Sequence, residues 1–485
     1  IMFKTFFLTE LRYTLKQPMV YIFLGLMALL VFGATSSDNV QIGGSVGNVL
    51  RNSPHVVTIY TTVMSLFGLL IATAFFNNAA LRDYSSGFNE ILFSTPLSKP
   101  GFFFGRFFGA VLLSNIPMLG VYLGSIIGSI VAPAAGWIDA SRFGPAPLQT
   151  FISSYFIFVL PNMFFAGTVI FAMANKWKST VISFVGSLLI IVGYLVSGTL
   201  LSDIDNETIA ALTDTFGIRA YSLFSKYFTP IEKNTISPSF TGLLLYNRLI
   251  WVALGFGVLL ISYFNFSFQQ KNKKVKAEKA KEEKEEFSEI QPKVQPIYGS
   301  STEWLHFKSF FKINFLSIVK STTFRILFIF NLILLVSSLF GGFEYFGLKS
   351  YPLTYKVLDD ISGSSGIFII IILVFFSGEL IWHDRDNKIN EVVDATPHTS
   401  FISLIAKALS IVGATTVLYF SFILIGIGYQ LLNGYTRIEL DVYLLDFLYD
   451  KLPIYLVWSG FMIFIQVMVN NKYIGYFISI LIIFI

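Results

Sequence analysis

The sequence predicts an all-α polytopic membrane protein. Of its 485 residues, 54% are hydrophobic and only 13% are charged, and the mean hydropathy is +0.68. Soluble proteins carry about 25% charged residues. Apolar runs recur along the chain, and about 20 apolar residues are what an α-helix needs to cross a bilayer. The runs do not alternate polar with apolar residues, which argues against a transmembrane β-barrel.

A polar stretch between two apolar runs occurs twice, which predicts two tandem modules. Leu81–Arg106 aligns without gaps with the last 26 residues of Ile381–Lys407, at a spacing of 301 residues. The alignment pairs Asp83 with Asp384, Asn89 and Glu90 with Asn390 and Glu391, Thr95 and Pro96 with Thr396 and Pro397, and Arg106 with Lys407.

The predicted organisation is a first module at 1–270 with six spans, a charged linker at 271–300, and a second module at 301–485 with five spans. The spans are expected at Met19–Ala34, Val56–Asn77, Phe107–Val131, Thr150–Ala174, Thr180–Leu201, Leu245–Phe266, Phe324–Phe340, Ile367–Ile381, Phe401–Leu432, Pro453–Val469 and Tyr473–Ile485. Because symmetry requires twelve, the second module is expected to be truncated after its fifth span. Pro117 and Pro161 are expected to kink their spans, either at a moving part or for structural reasons alone.

Each module opens with an amphipathic segment. In the first, Phe3, Phe6, Phe7, Leu11 and Leu15 are assigned to one helical face, and Lys4, Glu10, Arg12 and Lys16 to the other. This pattern predicts a helix in the membrane interface, or else a simple extension of the first span. Residues 307–320 repeat the pattern. The fragment 209–228, before the sixth span, is too apolar for a plain loop and is expected to approach the membrane edge.

Lysine and arginine concentrate on one side of the predicted spans, which places the N-terminus and that side in the cytoplasm. The linker KNKKVKAEKAKEEKEEF mixes charges without apolar periodicity. It is typical of a solvated helical extension, and binding of anionic lipid by its lysines is the alternative. The basic residues report topology rather than nucleic-acid binding.

Several kinds of chemistry are excluded. The chain has no cysteine, no glycine-rich phosphate loop and no His-Glu-x-x-His zinc motif. The four histidines are scattered at span ends and in loops, which favours positions in the membrane interface over a role as metal ligands. His383, Asp384 and Asp386 lie together, but a metal site there is disfavoured. The apolar runs contain almost no ionisable residues, which disfavours an ion-coupled carrier.

The repeated polar stretch is the candidate site. It predicts short helices at Ser85–Phe93 and Asp386–Asp394, each stopped by a Thr-Pro pair. Such a helix joined to two spans could transmit force from a soluble motor protein; the alternative is a well-capped loop with solvated acids. The candidate coupling residues are Asp83, Gly87, Asn89, Glu90, Thr95, Pro96, Asp384, Asn390, Glu391, Thr396 and Pro397.

These features resemble the ABC-2-type exporter permeases, which have an interfacial helix, six spans per module, a coupling helix between spans two and three, and re-entrant helices before span six. The segment NEILFSTPLSKPGFFFGRFFG, and FGIRAYSLFSKYFTPIEKNT followed by GLLLYNRLIWV, are similar to bacterial fused permease–aminopeptidase proteins. In that subfamily a zinc aminopeptidase domain of the aminopeptidase N type follows the permease modules, and nothing of that domain is present in this sequence.

The resemblance implies two tandem six-span ABC-2-type (type V exporter-like) half-permeases, forming the permease subunit of an ATP-driven exporter in the bacterial inner membrane. The chain itself would carry no catalytic, cofactor or metal site. Its partners would be two cytoplasmic ABC ATPase subunits that bind ATP and Mg, membrane lipids, and periplasmic or membrane accessory proteins. The second and fifth spans would line the path. The alternative is a membrane anchor or mechanical transmitter for a periplasmic peptidase, without transport.

Overall fold

The computed structural model describes residues 2–37, 48–178, 180–199, 206–268, 300–341, 344–345, 348–349, 351–386, 399–469 and 472–484. This part of the chain is almost entirely helical, apart from a two-residue antiparallel pair, Glu344–Tyr345 with Leu348–Lys349. The chain divides into two compact units, Ile1–Lys271 and Asn272–Ile485. Nearly all of the expected linker at 271–300 lies outside the described residues, so its structure and the three-part organisation stay predictions.

Within the described ranges, nine helices are long and apolar enough to cross a membrane. They are Pro18–Ser36, Pro54–Ser85, Lys99–Ala134, Leu148–Trp177, Gly242–Asn265, Thr322–Leu339, Thr354–Arg385, Ser400–Leu432 and Leu440–Met468. Ile182–Gly198 is a shorter apolar helix, and Lys472–Phe484 has 13 residues. Nine of the eleven expected spans therefore match helices of spanning length, whereas Thr180–Leu201 and Tyr473–Ile485 match shorter helices and stay predictions. The chain is a multi-pass membrane protein.

The first unit contains thirteen α-helices among its described residues. They are α1 (Met2–Leu15), α2 (Pro18–Ser36), α3 (Pro54–Ser85), α4 (Asn89–Phe93), α5 (Lys99–Asn115), α6 (Leu119–Ala134), α7 (Leu148–Ser154), α8 (Leu160–Trp177), α9 (Thr180–Thr199), α10 (Glu207–Thr213), α11 (Ile218–Phe224), α12 (Pro230–Thr235) and α13 (Gly242–Asn265). The second unit contributes α14 (Ser300–Val319), α15 (Thr322–Gly341), α16 (Thr354–Asp386), α17 (Ser400–Leu432), α18 (Leu440–Asp446), α19 (Leu452–Met468) and α20 (Lys472–Phe484).

The two prolines expected to kink spans both lie at interruptions. Pro117 separates α5 from α6, and Pro161 follows the π-helical turn Tyr155–Val159. Proline lacks an N–H group and clashes with the preceding helical turn, so the helix must break or widen there. The second unit has a π-helical turn at Phe447–Lys451, also followed by leucine and proline. The fourth spans of the two units therefore share a structural irregularity.

Glycines bring α6 close to α2. A Cβ atom added at Gly124 would lie 2.9 Å from the Phe32 nitrogen, and one at Gly128 would lie 2.8 Å from the Thr35 Cβ. Gly120 meets the α2 backbone in the same way. These three glycines are four residues apart, so they share one helix face and allow the backbones to contact each other. This packing holds α2, the first span of the unit, against α6.

Buried polar side chains attach the helices before the sixth span to α13. Arg248 is 2% exposed and donates to Asn162 Oδ1 at 2.7 Å, while Asn247 donates to the Ala211 and Asp214 carbonyls at 2.6 and 2.8 Å. Burial raises the pKa of Asp214, opposed by the backbone N–H and charge of Arg219. The apolar fragment is thus partly helical and anchored to the sixth span; its approach to the membrane edge stays a prediction.

The glycine contact predicts a position-dependent effect of one added methyl group. Gly124→Ala should destabilise the protein by about 1–3 kcal/mol because the Cβ would press on the α2 backbone. Gly33→Ala is the matched control, since Gly33 lies in α2 and a Cβ atom added there would meet nothing within 4 Å. Thermal unfolding of both variants in detergent measures the difference, and equal midpoints would contradict the proposed packing.

Candidate functional site

The connection between α3 and α5 holds the repeated polar stretch of the first unit. The structure corrects the expected helix at Ser85–Phe93, because Ser85 is the last residue of α3 and the short helix α4 begins at Asn89. Gly87 has a φ angle of +68°, in the left-handed region that favours glycine. The chain therefore turns at Gly87 and places α4 directly after the span.

Four charged side chains connect α1, α3 and α5 at this end of the unit. Arg106 Nη2 lies 2.6 Å from Asp83 Oδ2, and Arg106 Nη1 lies 3.5 Å from Glu10 Oε2. Arg82 donates to both Glu10 oxygens, at 3.2 and 2.8 Å. Glu10 is 2% exposed. We call Glu10, Arg82, Asp83 and Arg106 the charge network; two acids and two bases neutralise one another in it.

The assignment of Glu10 to the face of α1 opposite the phenylalanines is wrong, because Glu10 is buried. Glu10 follows Phe6 by four residues and Phe3 by seven, so it lies on the face that packs against α5. Three glycines on α5 make this packing close: added Cβ atoms at Gly105 and Gly109 would lie 2.8 Å from the Cβ atoms of Phe6 and Glu10, and Gly101 meets Met2 similarly. The four-residue glycine spacing was the signal in the sequence that could have revealed the contact.

The helix α4 is held by aromatic packing and by its own caps. The ring of Phe93 contacts Tyr84, Phe102 and Phe268, with centroids 5.7, 5.6 and 5.0 Å apart. Thr95 Oγ1 donates to the Leu92 carbonyl at 2.6 Å. Pro96 follows immediately and cannot continue the helix. These contacts attach one face of α4 to the ends of α3 and α5.

The opposite face of α4 is exposed. Phe88 is 48% and Ile91 is 64% exposed, and Glu90 between them is also exposed. Asn89 is buried. Among the described residues, the Glu90 side chain has no hydrogen bond or ion pair, whereas Glu10 of α1 pairs with two arginines. The exposed patch Phe88, Glu90 and Ile91 combines two apolar side chains with one negative charge.

The second unit repeats the central ion pair. Lys407 Nζ lies 3.4 Å from Asp384 Oδ2, at the positions aligned with Arg106 and Asp83. His383, aligned with Arg82, contacts Asp384 at 3.3 Å and is exposed to solvent. Asp386 is the last described residue of α16, and the rest of the expected helix Asp386–Asp394 lies outside the described residues, so that helix stays a prediction. Asn390, Glu391, Thr396 and Pro397 lie outside the described residues.

The candidate metal site at His383 and Asp384 acquires no further ligand in the structure. Within the described ranges, no three His, Asp or Glu side chains are arranged to hold a metal ion. The Asp384 carboxylate instead forms an ion pair with Lys407. Comparison with family models, curated proteins and solved structures gave no match to this chain. The site therefore has to be interpreted from its own geometry.

The charge network predicts a graded response at Arg106. Arg106→Gln leaves Asp83 without its cation and should lower the free energy of unfolding by about 3 kcal/mol, because an uncompensated buried charge is costly. Arg106→Lys, which introduces the residue type found at Lys407, should lower the free energy of unfolding by less. Thermal unfolding in detergent measures both.

The control is Arg12→Gln, since Arg12 is exposed on α1 and should change stability by less than about 0.5 kcal/mol. If Arg106→Gln and Arg12→Gln unfolded at the same temperature, the network would not stabilise this end of the unit.

Proposed function

We propose that the chain is the permease subunit of an ATP-driven ABC exporter, made of two fused half-permeases. Two copies of a separate cytoplasmic ATPase, which bind ATP and Mg, dock on the α3–α5 connection and on the aligned stretch of the second unit. In this proposal the N-terminus is cytoplasmic and the membrane is the bacterial inner membrane. The chain itself performs no catalysis.

The observation that carries this proposal is the attachment of α4 to the charge network. Asp83 at the end of α3 and Arg106 in α5 are joined by a 2.6 Å ion pair, and α4 lies in the connection between them. Because Glu10 adds α1 to the same network, a displacement of α4 would move three helix ends together. A merely solvated loop needs no such support.

The exposed side of α4 suits a soluble protein partner. Apolar side chains at the centre of a contact supply most of the binding free energy, whereas a charge steers the partner and sets its orientation. Phe88 and Ile91 supply the apolar contact and Glu90 supplies the charge. The matching surface of the ATPase would then carry an apolar pocket beside a lysine or arginine.

In the second unit, Lys407 and Asp384 supply the corresponding support. Asn314 stands where α1 has Glu10, and His383 stands where α3 has Arg82. Within the part of this connection that the structure describes, the Lys407–Asp384 ion pair and an exposed histidine stand in place of the buried four-residue network. In the proposed mechanism, ATP-driven closure of the two ATPases displaces both connections and opens a path through the membrane part.

The first experiment is purification of the full chain from native membranes in mild detergent with nucleotide present. We expect a stoichiometric P-loop ATPase, identified by mass spectrometry. The double variant Glu90→Gln with Glu391→Gln should weaken stimulation of that ATPase by about ten-fold, because each proposed docking segment loses a negative charge. Asp139→Asn, an exposed acid that follows α6, is the control and should leave stimulation unchanged.

Full stimulation in the double variant would contradict the coupling role of the two glutamates. Absence of any ATPase from the purified protein would contradict the exporter proposal and favour the anchor for a peptidase.

Topology gives an independent test, because the chain contains no cysteine and any introduced cysteine is unique. Ser94→Cys, just after α4, should react with a membrane-impermeant maleimide only after the cells are opened. Ser141→Cys, in the exposed turn after α6, should react in intact spheroplasts. The reverse labelling pattern would place α4 outside the cell, where no ATPase could reach it.

A further inference from the structure

The fourth span of the second unit contains an acidic group without a cation. Asp446 ends α18 immediately before the π-helical turn Phe447–Lys451, and its carboxylate accepts a hydrogen bond from the Tyr419 hydroxyl. The neighbouring Asp450 is paired with Lys451 at 2.6 Å. Among the described residues, Asp446 has no such partner. The Tyr419 hydroxyl supplies one donor but no positive charge, and a partly buried carboxylate in a membrane span is unfavourable without a compensating cation.

A second polar group without a partner lies in the same span. Tyr455 is 2% exposed, and its hydroxyl has no hydrogen-bond partner among the residues that the structure describes. The Tyr455 hydroxyl lies within electrostatic range of Asp446, Asp450 and Tyr419. A buried hydroxyl that bonds to nothing loses the hydrogen bonds it made to water, so its position calls for an explanation. A ligand between Asp446 and Tyr455 would satisfy both groups.

The first unit has the same local structure without these polar groups. Its π-helical turn lies 292 residues earlier, and Tyr122 contacts Ser154 Oγ at 3.1 Å in the way Tyr419 contacts Asp446. At this spacing, Asp446, Asp450 and Tyr455 correspond to Ser154, Phe158 and Met163. The fold therefore does not require an acid or a second hydroxyl here. Their presence in one unit alone indicates a local chemical role.

We propose that Asp446, together with the hydroxyl groups of Tyr419 and Tyr455, forms a binding site for an organic ammonium group. The carboxylate supplies the negative charge and the hydroxyl oxygens accept hydrogen bonds from the ammonium N–H groups. Aromatic rings complete the surroundings: Phe447 stacks on Tyr419 at 5.8 Å and contacts Phe420 at 4.7 Å. Ring faces favour an ammonium cation, whereas a hard metal ion such as Ca²⁺ requires about six to eight oxygen ligands.

The site goes beyond the exporter proposal, because it would bind a cation whether or not an ATPase docks on the chain. It gives the second unit a chemical preference that the first unit lacks. Amine-bearing molecules, and peptides through their free amino groups, are the ligands of matching chemistry.

Isothermal titration calorimetry of the full chain in detergent tests the site with phenethylammonium chloride as the probe. We expect saturable binding, with Asp446→Ser weakening the affinity at least about ten-fold because it removes the charged partner. Tyr455→Phe should weaken it about three- to ten-fold through the loss of one acceptor. Asp441→Asn, an exposed acid one turn earlier in the same span, should change nothing.

Asp446→Ser introduces the residue that the first unit has at this position, and Tyr455→Phe removes a single oxygen atom. If Asp446→Ser fails to fold, the affinity of Tyr455→Phe decides between the outcomes. Unchanged affinity in the folded variants would overturn the site. Equal binding of 2-phenylethanol, the neutral analogue, would show an apolar pocket instead. Displacement of the probe by sodium chloride, but not by choline chloride at the same ionic strength, would indicate a metal-ion site and overturn the ammonium assignment.

Discussion

The carboxylate of Glu10, bound by Arg82 and Arg106, is the interaction on which one end of the first unit depends. It lies between an amphipathic helix and two membrane spans, and it is almost completely buried. A buried carboxylate is tolerated only where cations surround it. The two arginines need acids in turn, and Asp83 supplies the second one. The positions of α1, α3 and α5 are therefore coupled through charge rather than through apolar packing alone.

Glycine makes this arrangement sterically possible. Added Cβ atoms at Gly105 and Gly109 would press on α1, so any larger residue would move Glu10 away from the arginines. The same device, three glycines spaced by four residues, holds α6 against α2. Inside a membrane there is little hydrophobic drive for helices to associate, so close backbone contact and buried polar bonds have to supply the attraction. The first unit uses both means side by side.

The two units share a plan but differ in their polar chemistry. The central pair is Arg106 with Asp83 in one and Lys407 with Asp384 in the other. Lysine is a point charge, whereas the arginine fork binds two acids at once, which explains why the pair of the first unit extends into a network, as that of the second unit does not among the described residues. At the fourth span the difference is reversed, since Asp446 replaces Ser154 beside a tyrosine. The first unit is more strongly connected at the end where α1 packs against α5. The second unit carries an additional acid, Asp446, in its fourth span.

The sequence by itself determined the class of the protein, the positions of nine long apolar helices and the alignment of Asp83 with Asp384. Apolar length and repeated turn residues are local properties that need no tertiary information. Only the tertiary structure decided that Asp83 and Arg106 form an ion pair, that Glu10 is buried, and that α4 begins at Asn89 rather than at Ser85. A carboxylate on an amphipathic helix is compatible with solvent or with a buried partner, and the choice depends on which helices approach. That approach is set by glycines and arginines distant in the sequence, whose contacts no local pattern can specify.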